Sequence, residues 1–176
     1  MPGLKLLVTG KPGVGKTTFV ERVVDRLRGS LRLAGFTTAE LRGPDEQRLG
    51  FRIVTVDAKQ GELARVGLRS RVRVGRYGVN VEAFELLALR ELARRDVDLI
   101  VIDEIGKMEC ASARFRRAVE KALDAPVNVL ATLGISDLPF LQAVRERPDV
   151  ELLTLTERNR DSLVAELCTR LQQGRG

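Results

Sequence analysis

The chain has no histidine and no tryptophan, and aromatic residues make up only 4% of its 176 positions. Without imidazole, acid and base chemistry falls to carboxylates, lysine or water. The shortage of rings leaves little material for the stacking platforms that single-strand nucleic-acid binders use. Two cysteines, Cys110 and Cys168, lack metal-ligand spacing, so thiolate chelation is not indicated. A disulfide between them stays open on sequence, with reduced thiols expected in a reducing compartment. Long hydrophobic runs are missing too: Leu99 to Ile102 and Val127 to Leu130 are far below membrane-spanning length. The N-terminus enters an apolar segment at once, with no charged leader and apolar signal stretch, so a cytoplasmic location is expected.

What is present is a soluble composition, 44% hydrophobic and 31% charged, with a net charge of +6. The length fits one domain, residues 1–176, with a sizeable core. The basic balance admits a nucleic-acid partner, but an arginine-heavy surface is the plainer reading and the one favoured here. A membrane partner is not expected, and a monomer is.

The most informative segment is Gly10-Lys11-Pro12-Gly13-Val14-Gly15-Lys16-Thr17, a complete G-x-x-x-x-G-K-[ST] phosphate loop, or Walker A element. It sits between an apolar strand, Leu4 to Thr9, and a helix beginning at Lys16. Its glycines let several backbone N–H groups converge on one anion, and the helix N-terminus adds partial positive charge. Lys16 is placed on the β and γ phosphates and the Thr17 hydroxyl on Mg²⁺, with Thr18 beside them. A carboxylate to orient the water ligands of Mg²⁺ comes from a second apolar strand, Leu99-Ile100-Val101-Ile102-Asp103, a Walker B pattern that nominates Asp103. Glu104 follows as the candidate base for an attacking water. Thr132, ending the next buried strand, is a candidate donor to the γ phosphate or that water. No arginine stands out by position as the cation for the developing charge.

Periodicity fills in the rest. Strands are expected at Gly35–Leu41, Leu49–Val56, Leu68–Val74, Val97–Asp103, Val127–Thr132 and Glu151–Leu155. Helices are expected at Val81–Arg95, Ser112–Leu123, Leu138–Arg145 and Asp161–Gln172. The alternation argues an α/β fold, a mainly parallel sheet flanked by helices, interrupted by an antiparallel hairpin insert from about Gly35 to Val74.

The run Asp103-Glu104-Ile105-Gly106-Lys107-Met108-Glu109, downstream of the phosphate loop, resembles the signature of the small nucleoside-triphosphatase family first known from thermophiles, which includes a cancer-related human member. Gly35-Phe36-Thr37-Thr38, Glu40, Arg42, Gly50-Phe51, Val74 to Asn80, Phe84-Glu85 and Glu157-Arg158-Asn159-Arg160 are similar too, so the likeness spans nearly the whole chain. It implies a P-loop enzyme of the catalytic-glutamate class, with a strand inserted between the phosphate-loop and Asp103 strands and a core order 5-1-4-3-2. It implies Mg²⁺-dependent hydrolysis of ATP, GTP and other triphosphates to diphosphate and phosphate, with loose base selectivity and slow turnover. It also puts Asn159 and Arg160 near the nucleotide, and Lys107 near the γ phosphate or a neighbouring carboxylate. The chain departs from the pattern at Thr37, at Ala39 and in the Leu133-Gly134-Ile135 turn. Independently, no N-K-x-D element for reading guanine follows the last strands. Two rival readings remain: a small phosphotransferase with an acceptor held by Arg69, Arg71 or Arg73, and a nucleotide-dependent nucleic-acid-binding switch.

Overall fold

A computed structural model describes residues 2–174, so residues 1, 175 and 176 of the expected 1–176 domain lie outside the described range. The elements in its first half are β1 (Lys5–Thr9), α1 (Lys16–Leu27), β2 (Leu33–Arg42), β3 (Arg48–Thr55), β4 (Gln60–Val66), β5 (Arg73–Val74), β6 (Tyr77–Val79) and α2 (Val81–Leu92). There follow β7 (Leu99–Ile105), α3 (Ala113–Asp124), β8 (Asn128–Leu133), α4 (Pro139–Arg145), β9 (Glu151–Thr154) and α5 (Arg160–Gln173). No helix among the described residues is long and apolar enough to cross a membrane.

Among the described residues nine strands share one sheet, in the order β5-β6-β4-β3-β2-β7-β8-β1-β9. The five from β2 to β9 pair in parallel. Counted along the chain, these five stand 5-1-4-3-2, with β8 inserted between β1 and β7, as the family resemblance implies. The antiparallel part is larger than a hairpin: β3, β4, β6 and β5 extend from β2 as a wing reaching Val79.

The expected strand at Leu68–Val74 is not formed as such, and Gln60–Val66 is a strand that alternation did not reveal. A register shift opposite Phe51 and Arg52 puts Leu63 and Ala64 both inside, which erases the period-2 pattern of β4. After Gly67, which has φ +80°, the chain turns and passes over β6, where a Cβ on Gly78 would lie 2.2 Å from the Leu68 carbonyl oxygen. Ser70 ties this loop down by donating to the Val79 carbonyl at 2.7 Å. Only Arg73 and Val74 pair, so the apparent alternation of the segment reflects a loop with a few apolar anchors.

Alternation does hold in the central strands. Leu6, Val8, Leu99, Val101 and Leu130 pack with α1 and α5 on one face. Leu7, Ile100, Ile102, Val129 and Ala131 pack with α2, α3 and α4 on the other. Covering both faces is what makes these strands apolar throughout. The second face holds an aromatic cluster in which the Phe84 ring lies 5.6 Å from that of Phe36 and 5.0 Å from that of Phe115. Cys110 and Cys168 are both buried and free, one in each of the two cores.

One backbone contact limits how β2 can reach the centre of the sheet. Gly35 has φ +112°, and a Cβ there would lie 1.9 Å from the Val101 carbonyl oxygen. Gly35→Ala should therefore cost about 2–5 kcal/mol through strain and overpacking. Urea unfolding measures this, and an unchanged midpoint would mean that β2 relaxes freely around the methyl group.

Candidate active site

Parallel pairing puts the C-terminal ends of β1, β8 and β7 on one edge of the sheet. Val8 is level with Thr132, and Ala131 with Ile102, so the phosphate loop, Thr132 and Asp103 emerge side by side. Open α/β sheets bind ligands at this edge.

The loop is shaped by Gly13 and Gly15, whose φ values of +79° and +96° would strain any side-chain-bearing residue. Gly10 is packed under the loop, where a Cβ would lie 2.9 Å from the Leu155 carbonyl oxygen. Gly15 caps α1 without a side-chain hydrogen bond, and the first turn of α1 carries no acidic residue. The donors of that turn are thus left to an external anion. Pro12, Gly13, Gly15, Lys16, Thr17 and Thr18 line an open cleft of about 550 Å³ whose far wall includes Thr38, Phe51, Glu104 and Gly134. Val14 turns inward against the α1–α5 core, and Lys11 is exposed away from the cleft wall.

Asp103 is 1% exposed. Thr132 donates its hydroxyl hydrogen to Oδ1 at 2.7 Å, and the Thr38 N–H approaches Oδ2 at 3.5 Å. Burial raises the Asp103 pKa above its ordinary value; the hydroxyls of Thr132 and Thr17, the Thr38 amide and the Lys16 charge oppose that rise. Thr132 thus orients Asp103. The expectation that Thr132 donates to the γ phosphate or to water is corrected, because its hydrogen is committed to the carboxylate.

Glu104 is joined to Asp103 by a cis peptide bond and turns the other way, into the cleft. Its Oε2 lies 3.9 Å from Lys16 Nζ, and the lysine side chain is only 14% exposed. Burial and the Asp103 charge raise the Glu104 pKa, while Lys16 lowers it. Gly106 and Gly134 crowd its other side: a Cβ on either would lie 2.7 Å or 3.2 Å from Glu104 Oε1. Arg145 fastens the Gly134 turn from α4, donating to the Gly134 carbonyl at 2.8 Å.

The remaining candidates divide. Arg160 brings a guanidinium nitrogen within 4.0 Å of where a Cβ on Gly15 would stand. Asn159 is tied into the turn before α5, accepting from Thr156 N and donating to the Thr154 carbonyl, both at 2.8 Å. Lys107 lies beyond Glu104, in a smaller recess adjoining the cleft, rather than on the phosphate-loop side. Arg69, Arg71 and Arg73 line neither. Glu109, which no separate argument from sequence marked although it closes the signature run, is 4% exposed. A separate depression of about 310 Å³ between α2 and α3 is lined by Arg95, Arg114, Arg117 and Lys121 but by no carboxylate, so it cannot perform the same chemistry.

Glu109 sets a pH dependence. Burial, then the Glu104 and Asp103 charges, push its pKa well above the ordinary 4.5. A carboxyl whose folded pKa is raised contributes stability that is complete below the unfolded value and lost as pH rises through the folded one. The Glu109 contribution to thermal stability should therefore fall from about pH 5 upward, so that Glu109→Gln matches the parent in acid and exceeds it increasingly as pH rises. Melting curves across pH test this, and parallel slopes for the two proteins would refute it.

Comparison with known proteins finds relatives along nearly the whole chain. The model of a family described as NTPase matches residues 5–168. A nucleoside-triphosphatase THEP1 of Thermotoga maritima is 43% identical over 98% of both chains, and the human cancer-related nucleoside-triphosphatase is 37% identical over 97% of both. The crystal structure of THEP1 from Aquifex aeolicus superposes with a TM-score of 0.86 at 41% identity, covering 96% of this chain and 99% of that one. The solution structure of the human protein gives 0.83 at 36% identity, covering 99% and 100%. On a match spanning nearly its whole length, the chain belongs to this NTPase family.

Proposed function

We propose that the chain hydrolyses nucleoside triphosphates to the diphosphate and phosphate, with Mg²⁺, in the cleft between the phosphate loop and the Asp103–Glu104 tip of β7. The observation that carries this reading is the pair across the cleft: Lys16 Nζ and Glu104 Oε2, 3.9 Å apart at the level of the loop. A phosphate-binding cation and a carboxylate able to accept a proton thus face one position, where a γ phosphate and its attacking water would meet.

The donor set fits magnesium. That ion takes few, hard oxygen ligands and keeps several waters, and the Thr17 hydroxyl and the buried Asp103 carboxylate supply such oxygens side by side. Among the described residues no group of three or more His, Cys, Asp or Glu forms a cage, consistent with a metal held largely by phosphate and water. When bound, Mg²⁺ would neutralise charge on the β and γ oxygens. The Gly13–Thr18 amides hold the polyphosphate, and Lys16 stabilises the charge that grows on the bridging oxygen. Thr132 keeps Asp103 aimed, and Glu104 orients the water and takes its proton. Arg160, whose guanidinium lies near Gly15, is a second in-chain cation for the phosphates beside Lys16. Loose base selectivity is proposed from the family likeness, and the missing N-K-x-D element gives no support for strict GTP selectivity. All these groups come from one chain, so a monomer suffices.

Lys16→Ala should abolish nucleotide-dependent activity. Glu104→Gln should keep nucleotide binding but lower turnover by about 10²–10⁴-fold, the usual worth of a positioned base. Phosphate release from the four common triphosphates, with and without Mg²⁺, measures both. A Glu104→Gln variant as fast as the parent would remove Glu104 as the base, and full activity under chelation would remove the metal.

A further inference from the structure

The depression of about 310 Å³ between α2 and α3 shares no lining residue with the cleft. Its charged residues all have one sign. Arg114, Arg117 and Lys121 stand at i, i+3 and i+7 of α3, a spacing that sets them along one face of that helix. Arg95, just beyond the end of α2, adds a fourth cation. Beneath them the lining is apolar: Leu92 is buried, and Leu89 and Ala118 are half-buried.

These cations are poorly matched within the chain. Elsewhere surface arginines meet carboxylates, as Arg32 meets Asp98, Arg147 meets Asp149 and Arg170 meets Glu151. Among the described residues the Arg117 and Lys121 side chains make no hydrogen bond or ion pair. Arg114 reaches Glu85 at 3.4 Å with its own side chain 70% exposed. Arg95 donates to the Leu92 and Arg94 carbonyls, both at 2.8 Å, which positions its guanidinium without neutralising it. Like charges around one hollow repel, and a bound anion turns that repulsion into attraction. A bare inorganic ion would satisfy the cations but leave the apolar floor uncovered. A hollow of this size, with an apolar floor and a few convergent charged groups, has the make-up of a small-molecule site.

We propose that this depression binds a small organic polyanion, a compound carrying two or more carboxylate or phosphate groups on a ring or other apolar body. The body covers Leu89, Leu92 and Ala118. The anionic groups meet Arg117 and Lys121, which have no competing partner, and Arg114 exchanges Glu85 for the ligand. Guanidinium forks take carboxylate and phosphate alike, so the shared chemistry is that of a planar or tetrahedral oxyanion. No bond forms or breaks there, and the site stands whether or not the hydrolytic reading holds.

Calorimetry on the whole chain with benzene-1,3,5-tricarboxylate and with 1,4-phenylene bisphosphate tests this, and the tighter of the two tells carboxylate from phosphate recognition. At least one should bind saturably at a single site. The neutral benzene-1,3,5-tricarboxamide, which lacks the charge, and sulfate, which lacks the body, should each bind much more weakly. Hydrogen bonds to charged groups are worth about tenfold each, so Arg117→Ala/Lys121→Ala should weaken the polyanion by about tenfold or more. Ala118→Trp fills the hollow while leaving all four cations, and should weaken it too. Arg69→Ala/Arg71→Ala, on the antiparallel wing, should leave the affinity unchanged.

Absence of saturable binding with both polyanions overturns the proposal. Binding that survives Arg117→Ala/Lys121→Ala lies elsewhere, the phosphate loop included, and overturns the site. Sulfate bound as tightly as the polyanions would reduce the depression to plain charge and overturn the organic ligand. Melting curves show whether each variant is folded; should Ala118→Trp unfold, the exposed Arg117 and Lys121 substitutions decide the matter alone.

Discussion

Everything at the site depends on the parallel pairing of β8 between β1 and β7. That register brings three strand ends to one edge, so a loop that begins after Thr9 and a carboxylate in β7 become neighbours. Thr132, at the end of the middle strand, connects the two by holding Asp103 through its hydroxyl. A slip of one residue would turn Asp103 to the opposite face of the sheet, into an apolar core, and leave the phosphate loop facing hydrocarbon.

The site concentrates acid where the fold would otherwise be apolar. Burial raises the pKa of all three carboxyls, Asp103, Glu104 and Glu109; the Asp103 charge adds to the rise at Glu104, the Glu104 and Asp103 charges add to it at Glu109, and Lys16 opposes it at Asp103 and Glu104. Burying carboxylates costs free energy, and an arrangement that keeps them beside one lysine favours cationic charge arriving with a ligand. The uncapped start of α1 has the opposite sign: its donors and the lysine await an anion. The magnesium-bound polyphosphate proposed above would supply both charges at once, to buried carboxylates on one side and open helix donors on the other.

The antiparallel wing enlarges this edge. Extending β2 outward carries Thr38 to Asp103 and Phe51 to the wall of the cleft, and the strands beyond add Leu63 and Val74 to the recess behind Glu104. The segments with the least regular sequence, the bulged β4 and the loop after Gly67, are therefore the ones that shape the space next to the base. Their irregularity made them hard to read from periodicity. Consecutive burial of Leu63 and Ala64 looks like neither strand nor helix, and Val72 and Val74 alternate with arginines in a stretch that is mostly loop.

The sequence by itself determined the phosphate loop, the Asp103–Glu104 pair and the buried central strands. These are local signals: a glycine spacing that only one backbone conformation explains, and apolar runs that only a two-sided sheet accommodates. Tertiary structure alone decided that Thr132 serves Asp103 rather than a phosphate, and that Lys107 faces a recess behind Glu104 rather than the loop. It also decided that Glu109 is buried among other acids and that Arg160 overhangs Gly15. Those outcomes join residues far apart in the chain or depend on which way a turn sends its side chains, and no local pattern encodes them.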